Sequence, residues 1–156
     1  MLDLLKKTEI ETLLSNKNIL ESKLLSDSFG ISCFKLKVND GKKYIVKYYN
    51  KKIKSFNAIR SEGKNLLFLN YHKKKFFPSI DISNDTYLIM SYINNNSVKP
   101  NETNNDLLDA IIDLHSFTNK IYGFEFNTQV GGLEKVNTKN SSWVDFFATN
   151  RLNYIF

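Results

Sequence analysis

Asn39-Asp40-Gly41 joins two runs of alternating apolar and polar residues, Cys33 to Val38 and Lys43 to Tyr49, and it constrains the fold more than any other feature. Gly and Asp tolerate the positive φ of a tight turn, so the two runs are expected to fold back on each other as an antiparallel hairpin. The remaining elements have to be arranged around that hairpin. Upstream, Asn18 to Leu25 reads as another strand. Before it, Leu2, Leu5, Ile10, Leu13 and Leu14 recur near helical spacing over residues 2–15. Downstream, helical spacing returns over residues 55–70, with Phe56, Ile59, Leu66, Leu67 and Leu69 expected to face inward and Ser55 to cap the first turn. A charged spacer, His72 to Lys75, leads to Pro78, which a helix cannot pass. Ser79 to Ser83 and Thr86 to Ile93 then read as a last pair of strands around Asn84-Asp85.

Beyond Asn94-Asn95-Asn96 and Pro100, the polar stretch to Asn105 is the best linker in the chain. Leu107 to Phe117 reads as an amphipathic helix, Ile121 to Val136 as a loop containing Gly131-Gly132, and Ser141 to Tyr154 as a second helix. On that second helix Trp143, Phe146, Phe147 and Tyr154 form an apolar stripe that is expected to need a partner surface. His115 is expected to be buried and hydrogen-bonded, and Cys33 to be a small core residue.

The 156 residues suit one ordinary core, and a content of 42% apolar and 24% charged residues excludes a disordered or fibrous chain. No apolar run approaches the roughly 18 residues that span a bilayer. Lys6-Lys7 is followed by Thr8-Glu9-Ile10-Glu11 rather than by the apolar segment of a signal peptide, and Cys33 has no second cysteine to pair with. A cytoplasmic location is therefore the expectation. With two histidines and one cysteine, no protein-built metal site is expected. The net charge of +6 is unevenly spread: residues 42–75 hold eleven basic side chains against one acidic. Such a segment attracts phosphate. One reading is thus a module binding nucleic acid or another anionic surface, although readers of bases and phosphates favour arginine, and this chain has only Arg60 and Arg151.

Five strands with one helix inserted after the third is the plan of a kinase N-lobe, and the polar residues fall where that plan needs them. Tyr44-Ile45-Val46-Lys47 ends the third strand in the manner of a phosphate-binding lysine. Glu62, the single carboxylate of the basic segment, lies on the inserted helix where the partner of such a lysine belongs. Leu88 to Ile93 reads as the last lobe strand running into a hinge, whose backbone groups would meet an adenine edge.

These residues resemble the fructosamine kinase and aminoglycoside phosphotransferase family, fructosamine kinases more closely. The similarity continues in Asp113-Leu114-His115, Gly123-Phe124, Val130-Gly131-Gly132, Asn137, Trp143-Val144-Asp145-Phe146-Phe147 and Arg151-Leu152. The resemblance implies an α+β, protein-kinase-like fold: a five-stranded antiparallel N-lobe with an inserted helix at 1–93, a hinge and linker at 94–105, and the start of a helical C-lobe at 106–156. It implies ATP with Mg²⁺ as cofactors and phosphorylation of a hydroxyl on a sugar amine. Lys47 and Glu62 take the ion-pair roles, Met90 the position before the hinge, and Ser91, Tyr92 and Ile93 the adenine contacts. Ser28, Gly30 and Ile31 take the phosphate loop.

Two departures stand out. Ser26 to Ser32 holds a single glycine where the family's loop is expected to be glycine-rich. The family's His-Gly-Asp type loop and metal-binding aspartate are absent, since His72 is followed by Lys73 and His115 by Ser116. The expectation is a chain resembling the front half of a kinase, with neither catalytic residues nor Mg²⁺ ligands and inactive alone. It would be a remnant or would assemble with a separately encoded C-lobe.

Overall fold

The computed structural model describes residues 2–50, 57–73, 76–95, 105–130 and 133–153. Helix α1 (Leu4–Leu13) is opened by Asp3, whose carboxylate accepts from the Lys6 N–H at 2.9 Å. It stops where Ser15 and Asn16 adopt φ of 58° and 60°, which no right-handed helix continues through. Strands β1 (Ile19–Ser28), β2 (Ile31–Val38) and β3 (Lys43–Tyr49) follow. The expected hairpin is present between β2 and β3, with Lys37 opposite Lys43. Gly41 supplies a φ of 84°, and the Asp40 carboxylate accepts from the Lys42 N–H at 2.9 Å.

Helix α2 (Ala58–Lys73) precedes β4 (Ile80–Ser83) and β5 (Tyr87–Ser91), and the five strands form one antiparallel sheet in the order β1-β2-β3-β5-β4. Strand alternation divides the apolar residues between two clusters. Phe34, Leu36, Val38, Tyr44, Val46 and Ile89 bury against Ile10 and Leu14 of the α1 region. Leu88 and Met90 bury with Ile59 of α2, and Ile31, Ile45, Tyr49 and Leu66 pack around them. Each fully buried Leu or Ile contributes roughly 1.5–3 kcal/mol.

Helix α2 differs in detail from the sequence reading. Ile59 is buried and Leu66 packs inward as expected, but Leu67 is 53% exposed. The helix runs through His72, and the Asn57 carboxamide accepts from the Ile59 N–H at 3.2 Å. Ser55 and Phe56 lie outside the described residues, as does 96–104 of the linker. Gly63 faces β4 so closely that a Cβ there would lie 2.1 Å from Ser83 Oγ and 3.2 Å from Ser83 Cβ.

The chain divides into two units, Met1–Tyr92 with Gln129–Leu133, and Ile93–Thr128 with Glu134–Phe156. The second holds α3 (Asp106–His115), α4 (Trp143–Phe147) and a π-helical turn, Ala148–Leu152. His115 is exposed, contrary to expectation, because α3 has no buried residue. The stretch read as a loop carries a short hairpin, β6 (Thr128–Val130) and β7 (Leu133–Lys135), whose three-residue strands are too brief to show alternation. Gly131 and Gly132 lie outside the described residues. Part of the expected apolar stripe is satisfied internally. Phe146 is buried with the Arg151 guanidinium 4.7 Å from its ring centroid, while Trp143 and Phe147 stay half-exposed. Tyr154 lies outside the described residues. Arg151 also donates to Val136 O at 2.6 Å and to Asn137 Oδ1 at 2.6 Å, and buried Asn137 donates to Phe126 O at 3.0 Å.

Candidate nucleotide site

In β3, Val46 points into the α1-side core, so its neighbour Lys47 emerges on the opposite face of the sheet, beside Leu88 and Cys33 in register. Glu62 reaches it from the first turns of α2. Lys47 Nζ donates to Glu62 Oε1 at 2.6 Å, with about a quarter of each side chain exposed (26% and 27%). The contact is charge-assisted and partly screened from water, which fixes the ammonium in place more firmly than a surface pair would.

The pair borders a cavity of about 160 Å³ lined by Ser26, Ser28, Phe29, Ile31, Cys33 and Gln129 in addition. Above it the β1–β2 connection is a two-residue turn in which Phe29 and Gly30 adopt φ of 50° and 74°. Of the residues read from the sequence, Lys47, Glu62, Ser28 and Ile31 therefore meet at one cavity, and Gly30 forms its turn without lining it. Cys33 was read only as a core residue, but it is also a wall of this cavity. Burial pushes its thiol pKa up and the Lys47 cation offsets only part of that, so the sulfur is a neutral, apolar surface. Gln129 comes from far downstream, and no local sequence pattern could have placed it here.

Met90, Ser91 and Tyr92 of the expected hinge lie in the first unit without lining this cavity. Met90 is buried in β5. The Ser91 N–H donates to Ser79 O at 2.9 Å and the Tyr92 N–H to Lys43 O at 3.1 Å, so both amides are taken by sheet hydrogen bonds. The Tyr92 ring lies under Lys35 Nζ at 3.9 Å. Ile93 is half-exposed and falls in the second unit. Of the basic segment, residues 51–56 and 74–75 lie outside the described residues, and Arg60 faces Asp85 at 3.5 Å.

The family model described as fructosamine kinase matches residues 7–156. The chain belongs to the fructosamine kinase family. Among curated relatives of this fructosamine kinase family chain is the chloroplastic protein-ribulosamine 3-kinase of Arabidopsis thaliana, 27% identical over 95 residues, which are 60% of this chain and 27% of the relative. Among solved structures, a protein assigned as fructosamine-3-kinase from Thermobifida fusca YX-ER1 superposes with a TM-score of 0.79 at 19% identity, over 96% of this chain and 52% of that one. A second, so assigned in Haemophilus somnus 129PT, gives 0.73 at 18% identity over 95% and 51%. The two structures establish the kinase-like α+β fold. The fructosamine kinase family chain described here spans about half the length of these solved structures and about a quarter of the curated relative.

Proposed function

We propose that this chain forms the nucleotide-binding part of an ATP-dependent kinase that phosphorylates a hydroxyl of a sugar amine of the ketosamine class. The observation that carries the reading is the 2.6 Å contact between Lys47 and Glu62 at the cavity beneath the β1–β2 turn. In this reading Lys47 neutralises the α and β phosphates while Glu62 holds its ammonium in position. Ser28, Gly30 and Ile31 form the turn facing those phosphates. Cys33, a wall of the cavity, offers an apolar surface to the base. Because the Ser91 and Tyr92 amides are already bonded, polar recognition of the adenine edge passes to the carbonyls of Ser91 and Tyr92 and to the backbone of Ile93.

Mg²⁺ would bridge phosphate oxygens and neutralise developing charge, but the cavity offers one carboxylate, Glu62, which Lys47 already engages. Among the described residues no group of three or more His, Cys, Asp or Glu could hold a metal ion. These residues offer a cation to the phosphates and a single, already engaged carboxylate, which is too little to form a Mg²⁺ site. Among the described residues that line this cavity there is no aspartate to orient an acceptor hydroxyl, so in this reading phosphoryl transfer draws on residues outside it.

The test is thermal unfolding of the purified chain with and without MgATP. A ligand that binds the native state raises the midpoint by mass action, by about 2.7 kcal/mol of stability at a hundredfold excess over Kd. The midpoint is expected to rise for the wild type and to stay put for Lys47→Ala; an unchanged wild-type midpoint at millimolar MgATP refutes the reading.

A further inference from the structure

The β1–β2 turn carries one glycine, and Phe29 sits beside it in the left-handed region, where a bulky side chain stays only if its surroundings impose it. The surroundings are a hydrogen-bonded triangle at the base of the turn. The Asn50 N–H donates to Gly30 O at 2.8 Å. Its side-chain Nδ2 donates to Asp27 Oδ1 at 2.8 Å and to Ser32 Oγ at 2.9 Å. Ser32 Oγ, buried at 3% exposure, donates to the same Asp27 oxygen at 3.0 Å. One side chain thus ties together β1, β2 and the end of β3, the strand that carries Lys47.

We propose that Asn50 is a positioning residue that clamps the β1–β2 turn over the Lys47–Glu62 cavity, so that the turn is already shaped for the phosphates of a nucleotide. The proposal rests on the nucleotide-binding reading above. A glycine-rich loop reaches phosphate by flexibility and loses that freedom on binding. A clamped turn has little left to lose, and preorganisation appears directly as affinity.

The experiment is calorimetric titration of the full chain with MgATP, paired with amide hydrogen exchange at residues 29–31. Relative to wild type, Asn50→Ala is expected to weaken binding about tenfold, the equivalent of one lost hydrogen bond of ordinary strength, and to speed exchange at the turn while the rest of the sheet keeps its protection. The exchanged pair Asp27→Asn with Asn50→Asp restores an amide facing a carboxylate and is expected to recover affinity to within about threefold. Asn50→Asp alone, which keeps the side chain's size but sets a carboxylate without a donor against Asp27, serves if Asn50→Ala does not fold, with a similar loss expected. Wild-type affinity in Asn50→Ala, or unchanged exchange at 29–31, overturns the clamp while leaving the nucleotide site standing. Absence of MgATP binding by the wild type overturns the nucleotide reading and the clamp's role with it.

Discussion

At the level of single residues, position and alternation settle most of what matters. Lys47 and Glu62 were legible because one lies on a strand and the other on a helix, and both placements follow from patterns in the sequence. Gly63, next to Glu62, was not legible, because its role depends on how near β4 lies. An alanine there meets Ser83 at 2.1 Å from its hydroxyl and 3.2 Å from its Cβ. The hydroxyl can rotate away but the Cβ cannot. Gly63→Ala should therefore lower stability by about 1 kcal/mol, the overpacking outweighing the roughly 1 kcal/mol gained in helix propensity. Adding Ser83→Gly should recover most of it, and urea midpoints of the wild type and the two variants read the effect. His115 was misread because an apolar neighbourhood in sequence implied burial, whereas the helix bearing it presents that apolar face outward.

Among elements, α1 shows how a helix with a weak apolar face is kept on the sheet. The Tyr87 hydroxyl of β5 donates to the Glu9 carboxylate, and Lys6 Nζ donates to Glu9 at 2.8 Å and to Tyr87 at 3.2 Å. The Lys6 ammonium and then the Tyr87 hydroxyl hold the Glu9 carboxyl below its ordinary value of 4.5. Asp40, in the β2–β3 turn, is likewise held below 3.8 by the Lys42 N–H and then by Lys17. A carboxyl lowered in the folded state favours folding at pH values above its unfolded pKa, and that contribution disappears as pH falls through the folded one. Stability is thus expected to be flat from pH 6 to 8 and to decline below about 4.5. Glu9→Gln should make the decline shallower, as urea midpoints measured across that range would show. The β2–β3 hairpin was readable from its turn residues alone. The β6–β7 hairpin and the π-helical turn were not, since three-residue strands and a five-residue turn leave no periodic trace.

For the molecule as a whole, α3 leaves Leu107, Leu108, Ile111 and Ile112 between 43% and 56% exposed, a contiguous apolar face. The purified 156-residue chain is accordingly expected to bind an apolar dye such as ANS, and Leu108→Lys with Ile112→Lys to reduce that signal without moving the thermal midpoint of the five-stranded unit by more than a few degrees. It is also expected to give no phosphorylated ketosamine with MgATP; measurable turnover would show that the phosphoryl-transfer residues are among these 156. The close approach of Gly63 to Ser83 bears on what keeps Glu62 within reach of its lysine. A side chain at position 63 would push α2 away from β4, so the span from Glu62 to Lys47 depends on a neighbour that has none.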